Sequence, residues 1–231
     1  MNYLVDLFFP PSCLGCSKTL HDNEIEICIE CRHHLPLTNY HFRKEQPINQ
    51  LFYGRLEFKA ATSLFFFQKN SREHKLLHQL KYKNQESLGT TLGTWLALEM
   101  KSSMLFDNVD LVVPVPSHKK RMKKRGYNQV LSFAQAIANV LEVPCNNLVL
   151  IKTKNTKSQV FQTKEQRWNS VANSFKINTN EFIYKKHILI VDDLITTGST
   201  IEACANVLTD AGVKNLSLAT IAITSSMFRY N

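Results

Sequence analysis

Apolar residues in this chain fall into two spacings, short unbroken runs and longer stretches with a helical repeat, and the two alternate. The runs predict strands at 111–115, 148–152, 182–191 and 214–224, with one or two more within 56–68. Between them, Leu76, Leu77 and Leu80 share one face of a helix predicted over 71–81, with Ser71 as its cap. Further helices are predicted over 86–101, 128–141 and 199–211. Gly89 and Gly93 lie one turn apart in the first of these three, which suits close contact with a neighbour inside a soluble core. Pro114 and Pro116 close the strand at 111–115, because proline cannot donate to a ladder. Strands alternating with helices at this pace imply an α/β fold, a parallel sheet flanked by helices.

One junction carries chemistry. The run Ile188, Leu189, Ile190 and Val191 suits a strand buried on both faces, and Asp192 and Asp193 follow it at once. Then come Thr196, Thr197, Gly198, Ser199 and Thr200, whose amides and hydroxyls can wrap an anion where the helix at 199 opens with unpaired donors. The acids and this cradle are expected at opposite ends of one short loop. Two carboxylates there repel a bare anion unless they face the hydroxyls of an attached sugar or a bridging divalent cation. A ribose 5-phosphate satisfies both ends. A lone Asp before a helix is more often an ordinary N-cap, but the full string VDDLITTGST asks for more than a cap. No GxxxxGK[ST] loop occurs, and no GxGxxG opens a helix after a strand.

A second junction follows the strand at 111–115. Six of the seven residues from Lys119 to Arg125 are basic. Such a run is usually a solvated face or a nucleic-acid patch, yet its place after a strand and before a helix puts it at the carboxyl edge of the sheet, where open α/β folds bind ligands. A pyrophosphate suits that position. The polar stretch 153–166 is long for a loop inside a compact domain, and such loops tend to be functional or disordered.

The amino terminus holds a third pattern. Cys13, Cys16, Cys28 and Cys31 form two CxxC knuckles separated by eleven residues, a spacing at which four thiolates close a tetrahedral zinc site. Disulfides are the competing reading. The first ten residues carry Asp6 and lack a basic start, unlike a secretory signal, so a cytoplasmic chain with reduced thiols is expected. His21, His33 and His34 are read as surface residues, and Cys145 and Cys204 as buried or incidental thiols. The expected organisation is a zinc-binding module over residues 1–40, a polar linker over 39–49, and an α/β domain over 50–231.

Composition narrows the partners. With 231 residues, 44% of them hydrophobic, the chain can bury one substantial core plus a small accessory module. The longest candidate for an apolar span, 60–67, is strand-sized, so no membrane span is expected. The net charge of +9 points to anionic partners, which nucleic acid and a phosphorylated metabolite satisfy equally well.

VDDLITTGST closely resembles the phosphoribosyl pyrophosphate (PRPP) motif of the class I phosphoribosyltransferases. That resemblance implies that Asp192 and Asp193 hold the ribose hydroxyls and that Thr196, Thr197, Gly198, Ser199 and Thr200 hold the 5-phosphate. More narrowly, the chain is similar to the competence protein ComF family, also called GntX-like, whose VPVPxHxxRxxxRGxNQ is matched by Val113, Pro114, Val115, Pro116, His118, Arg121, Arg125, Gly126, Asn128 and Gln129. A segment resembling TxxQxxxxxxxRxxN follows at Thr156, Gln159, Arg167 and Asn169, and then Phe175. The resemblance implies a class I phosphoribosyltransferase-like sheet behind an amino-terminal zinc finger. It also implies pyrophosphate binding by Pro116, Ser117, His118, Arg121 and Arg125, a flap carrying Lys154, Lys157, Gln159 and Arg167, and magnesium (Mg2+) bound with PRPP.

Two functions follow from the resemblance. One is a part in natural transformation, handling single-stranded DNA beside a competence helicase, with Phe42, Phe52, Tyr53 and Tyr127 as candidates to stack on bases. The other is transfer of ribose 5-phosphate from PRPP to a nitrogen acceptor. Thr196 stands where enzymes acting on 6-oxopurines carry a carboxylate, which argues against purine salvage. The cysteines are committed to metal, which argues against a glutamine amidotransferase. No catalytic residue is assigned.

Overall fold

The computed structural model describes residues 10–43, 47–82, 85–117, 128–153, 174–178 and 181–225. Its strands are β1 (Ala61–Phe67), β2 (Leu111–Pro114), β3 (Leu150–Lys152), β4 (Phe175–Ile177), β5 (His187–Ile195) and β6 (Asn215–Thr224). Its helices are α1 (Ile29–His34), α2 (Pro47–Leu51), α3 (Arg72–Tyr82), α4 (Glu86–Ser103), α5 (Leu131–Leu141) and α6 (Ser199–Asp210). Four strands make one parallel sheet in the order β1-β6-β5-β2.

The two faces of β5 show the layering. Leu189 and Val191 join Leu76 of α3, Leu88 and Leu92 of α4 and Phe133 of α5 in one core. Ile188 and Ile190, pointing the other way as strand geometry requires, join Ile201, Cys204 and Leu208 of α6 in a second core. A parallel strand covered on both sides is apolar at every position, which is why 188–191 reads as an unbroken run. Helices α4 and α5 meet where Gly93 leaves no room: an added Cβ would lie 2.5 Å from the Phe133 carbonyl oxygen and 2.8 Å from the Ala136 Cβ. Ser71 caps α3 as its sequence predicts, accepting from the His74 N–H at 3.2 Å.

Several expectations need correction. The expected strand at 182–191 begins at His187, because Phe182 is 73% exposed and residue 185 takes a left-handed turn, with Lys185 at φ 59°. It also runs on to Ile195, since Asp192, Leu194 and Ile195 stay paired with Thr220, Ala222 and Ile223 of β6. The two aspartates therefore lie on the strand, ahead of the loop. The expected strand at 148–152 is reduced to β3, which pairs antiparallel with β4 outside the main sheet. The helix expected from 128 starts at Leu131, because the Asn128 side chain caps a turn by accepting from the Val130 N–H at 3.3 Å.

The expected linker at 39–49 is also partly core: Tyr40 and His41 are buried. Residues just before it line the free edge of β1. The Phe66 N–H donates to the Pro36 carbonyl at 2.8 Å, and the Thr38 N–H donates to the Leu64 carbonyl at 3.1 Å. His41 then sits between Thr62 of β1 (Nδ1 to Oγ1, 3.1 Å) and Glu99 of α4 (Nε2 to Oε2, 3.2 Å). Glu99 also accepts from Trp95 Nε1 at 2.8 Å, and the Arg32 guanidinium stacks over the Trp95 ring at 5.0 Å. Cys13, Ile27, Cys28, Cys31 and Leu35 share the core of α3, α4 and α5.

Candidate functional site: an anion cup and a cysteine cluster

The carboxyl end of β5 hands the chain directly to α6. Asp192 and residues 194–201 line a cup of about 30 Å3 at this junction. Its floor depends on Gly198, which takes φ 76°, a backbone state that side chains disfavour. A Cβ there would also strike the buried Phe52 ring at 2.8 Å. Thr197 Oγ1 lies 3.1 Å from Ser199 Oγ, so two hydroxyls share the rim, and the first amides of α6 lie beyond them. Hydroxyls, helix-terminal amides and one carboxylate give a site suited to a phosphate ester that also carries hydroxyls.

The two aspartates part company. Asp192 follows the register of Ile188 and Ile190 and faces the cup; Asp193 follows Leu189 and Val191 to the opposite face. Burial, reinforced by the Asp193 carboxylate, pushes the Asp192 pKa up to about 7, against the opposing pull of the Asp193 N–H, Lys81 and Lys152. That N–H donates to Asp192 Oδ1 at 2.9 Å. Asp193 is buried, with Lys81 Nζ at 3.1 Å and Gln129 Nε2 at 3.1 Å from its Oδ2. Both aspartates were expected to hold the sugar; Asp192 lines the cup, and Asp193 bonds Lys81 and Gln129 on the other face of the strand.

Gln129 joins the two sequence motifs. Ser117 Oγ lies 3.4 Å from Gln129 Oε1 and 3.3 Å from Asn128 Oδ1, and Asn128 Nδ2 donates to the Val115 carbonyl at 3.4 Å. The strand end at Pro116 and Ser117 is thereby linked through Gln129 to Asp193. His118, Arg121 and Arg125, with Tyr127, lie outside the described residues, as do Lys154, Lys157, Gln159 and Arg167. Of the candidate stacking aromatics, Phe52 is fully buried and serves the cup instead, whereas Tyr53 (89%) and Phe42 (58%) are exposed. Sequence reasoning missed Lys81, Arg55 and the place of Phe52 under the cup. Nothing in their local spacing marks them, since each meets the site across a long stretch of chain.

At the amino terminus the four cysteine sulfurs all lie within 4.8 Å of one another. Cys16 and Cys28 are 3.7 Å apart, far from the roughly 2 Å of a disulfide. A ZnS4 tetrahedron with bonds of about 2.3 Å has edges of about 3.8 Å, so the donor set fits zinc. Amides already point at sulfur: Gly15 N–H and Cys28 N–H reach Cys13 Sγ at 3.4 and 3.3 Å, and Cys31 N–H reaches Cys28 Sγ at 3.4 Å. Burial raises the Cys13 pKa, but the amides of Cys28, Cys16 and Gly15 outweigh it and bring the thiol down to about 7. Burial pushes Cys28 and Cys31 upward. A bound cation is what such a set needs to hold four thiolates. His21, His33 and His34 are exposed, as expected for residues outside the cluster.

Known proteins agree with this layout. A phosphoribosyl transferase domain matches residues 129–226, and a double zinc ribbon domain matches residues 4–42. Among solved structures, the glutamine PRPP amidotransferase from B. subtilis is similar with a TM-score of 0.42 and 20% identity, over 62% of this chain and 30% of that one. The two domain matches and the clustered cysteines make the class a phosphoribosyltransferase-type α/β domain with an amino-terminal zinc ribbon. Competence protein F of Haemophilus influenzae is 30% identical over 146 residues, 61% of this chain and 63% of that protein. DNA utilization protein YhgH of Escherichia coli is 29% identical over 136 residues, 58% of this chain and 59% of that protein. The chain is similar to both proteins at about 30% identity, and the matches span less than two thirds of either relative. Among the described residues, no helix is long and apolar enough to cross a membrane.

Proposed function

We propose that this chain binds magnesium–PRPP in the cup at the end of β5 and serves DNA uptake in the cytoplasm, contacting single-stranded DNA beside a competence helicase. The observation that carries the ligand is the shared cup: Asp192 and the loop of Thr196, Thr197, Gly198, Ser199 and Thr200 line one concave surface. In this reading the loop takes the 5-phosphate, and Asp192 takes a ribose hydroxyl or the magnesium ion. Asp193 holds Lys81 and Gln129, and through Gln129 it sets Ser117, the last described residue on the pyrophosphate side. The names of the relatives, competence protein F and DNA utilization protein, support the DNA role. The charge of +9 and the exposed Tyr53 and Phe42 support direct contact with a polyanion of stacked bases.

Calorimetric titration tests this reading. Wild-type protein is expected to give a saturable heat with PRPP and magnesium, and Asp192→Asn to weaken it at least tenfold, about 1.4 kcal/mol. In a parallel arm, affinity for a single-stranded oligonucleotide is expected to fall steeply as salt rises. Absence of heat with wild type would falsify the ligand, and salt-independent or absent oligonucleotide binding would remove direct DNA contact.

A further inference from the structure

The cradle has a second wall. The segment after α2 folds over it: Phe52 packs on Gly198, and Arg55 reaches Glu202 in the first turn of α6, with Nη1 to Oε2 at 2.5 Å. The other guanidinium nitrogen, Nη2, donates to the Leu51 carbonyl, and the guanidinium lies 5.9 Å from the Phe52 ring centroid. The Glu202 side chain is 9% exposed and that of Arg55 36%. An acid in the first turn normally complements the positive end of a helix. Here that end is offered to a phosphate, so a buried carboxylate one turn behind it opposes the ligand.

We propose that Arg55 is a positioning residue for the phosphate site, cancelling the Glu202 charge so that the first amides of α6 act on an incoming anion. Burial raises the Glu202 pKa, and the Arg55 guanidinium opposes that rise. The proposal rests on the reading of the loop as a phosphate cradle. Arg55 acts through Glu202 and need not touch the ligand.

Calorimetric titration with PRPP and magnesium at pH 8, on folded variants checked by thermal unfolding, decides it. Arg55→Ala is expected to bind roughly tenfold more weakly, the scale of one unscreened charge a helical turn away. Arg55→Lys and the double variant Arg55→Ala with Glu202→Gln are expected within about twofold of wild type, because each restores the charge balance. Glu202→Gln alone, which leaves Arg55 in place, is expected to bind at least as tightly as wild type, and this variant decides the matter if Arg55→Ala does not fold. Equal binding by wild type and Arg55→Ala overturns the inference while leaving the cradle standing. A double variant as weak as Arg55→Ala, or a weakened Glu202→Gln, overturns it too, since the arginine would then act other than by cancelling the glutamate. Wild type giving no heat at all overturns the cradle and this inference together.

Discussion

The cysteine cluster and the cup at the end of β5 both grow from short motifs, but they are completed differently. All four ligands of the cluster come from nineteen consecutive residues, 13–31, and their amides turn inward on the same sulfurs. The cup draws its carboxylate and hydroxyls from one junction, yet its geometry depends on Phe52 and Arg55 from the segment after α2 and, behind it, on Lys81 from α3. A local site is closed by its own turns. A site at a sheet edge is closed by whatever the fold brings over it.

The largest expected effect breaks the first half of that contrast. Cys13, Cys28 and Cys31 share a core with Leu76 and Leu88, so removing the metal is expected to disturb the α/β domain as well as the knuckles. Structural zinc sites carry an apparent binding free energy of about 10–16 kcal/mol, which a domain of ordinary stability cannot absorb. Elemental analysis should find about one zinc per chain. Chelation, or Cys31→Ser, should lower the unfolding temperature and expose Trp95, which Arg32 covers, to solvent. A chelated protein with unchanged unfolding temperature and tryptophan emission would show the cluster to be an ornament of the fold.

A smaller effect is expected at Gly198. Alanine there must hold φ 76° and push its Cβ to 2.8 Å from Phe52, which together cost about 2–4 kcal/mol. The loss should appear as a lower urea midpoint with unchanged slope. PRPP binding should fall with it, because the loop must move to relieve the clash. A stable Gly198→Ala that binds normally would mean that Phe52 yields and that the cup is soft.

These two sites also mark what the sequence could disclose. The parallel sheet, the helices near 72–82 and 86–103 and the cysteine cluster were legible, because apolar period and ligand spacing are local quantities. The end of β5 was not. Carboxylates are poor strand formers, so the strand was expected to stop at Val191, but the ladder to β6 extends to Ile195 and sets the two acids on opposite faces. Neither was the pairing of β3 with β4, which two three-residue segments, each with a lysine, do not specify. Arg55 and Glu202 stand 147 positions apart and Gln129 and Asp193 stand 64 apart, and no periodicity in one chain reports such partners.

The smallest effect separates the neighbouring acids themselves. Asp193→Ala leaves Lys81 and Gln129 without their shared acceptor and should destabilise the protein by about 1–3 kcal/mol. Asp192→Asn should do the reverse above neutrality. The Asp192 pKa of about 7 lies above its free value of 3.8, so the folded chain retains a proton that the unfolded chain has already released between those limits. Wild-type stability therefore falls as pH rises from about 4 to 7 through this group, and asparagine, with no proton to lose, escapes the fall. Asp192→Asn should unfold at a higher temperature than wild type at pH 8 and lose that advantage by pH 4. Magnesium–PRPP, which needs the ionised form, should bind wild type more tightly as pH passes 7, with no such rise in the variant. If Asp192→Asn instead unfolds earlier than wild type at pH 8, its carboxylate is held by the fold as Asp193 is, and the division of labour between the two acids collapses.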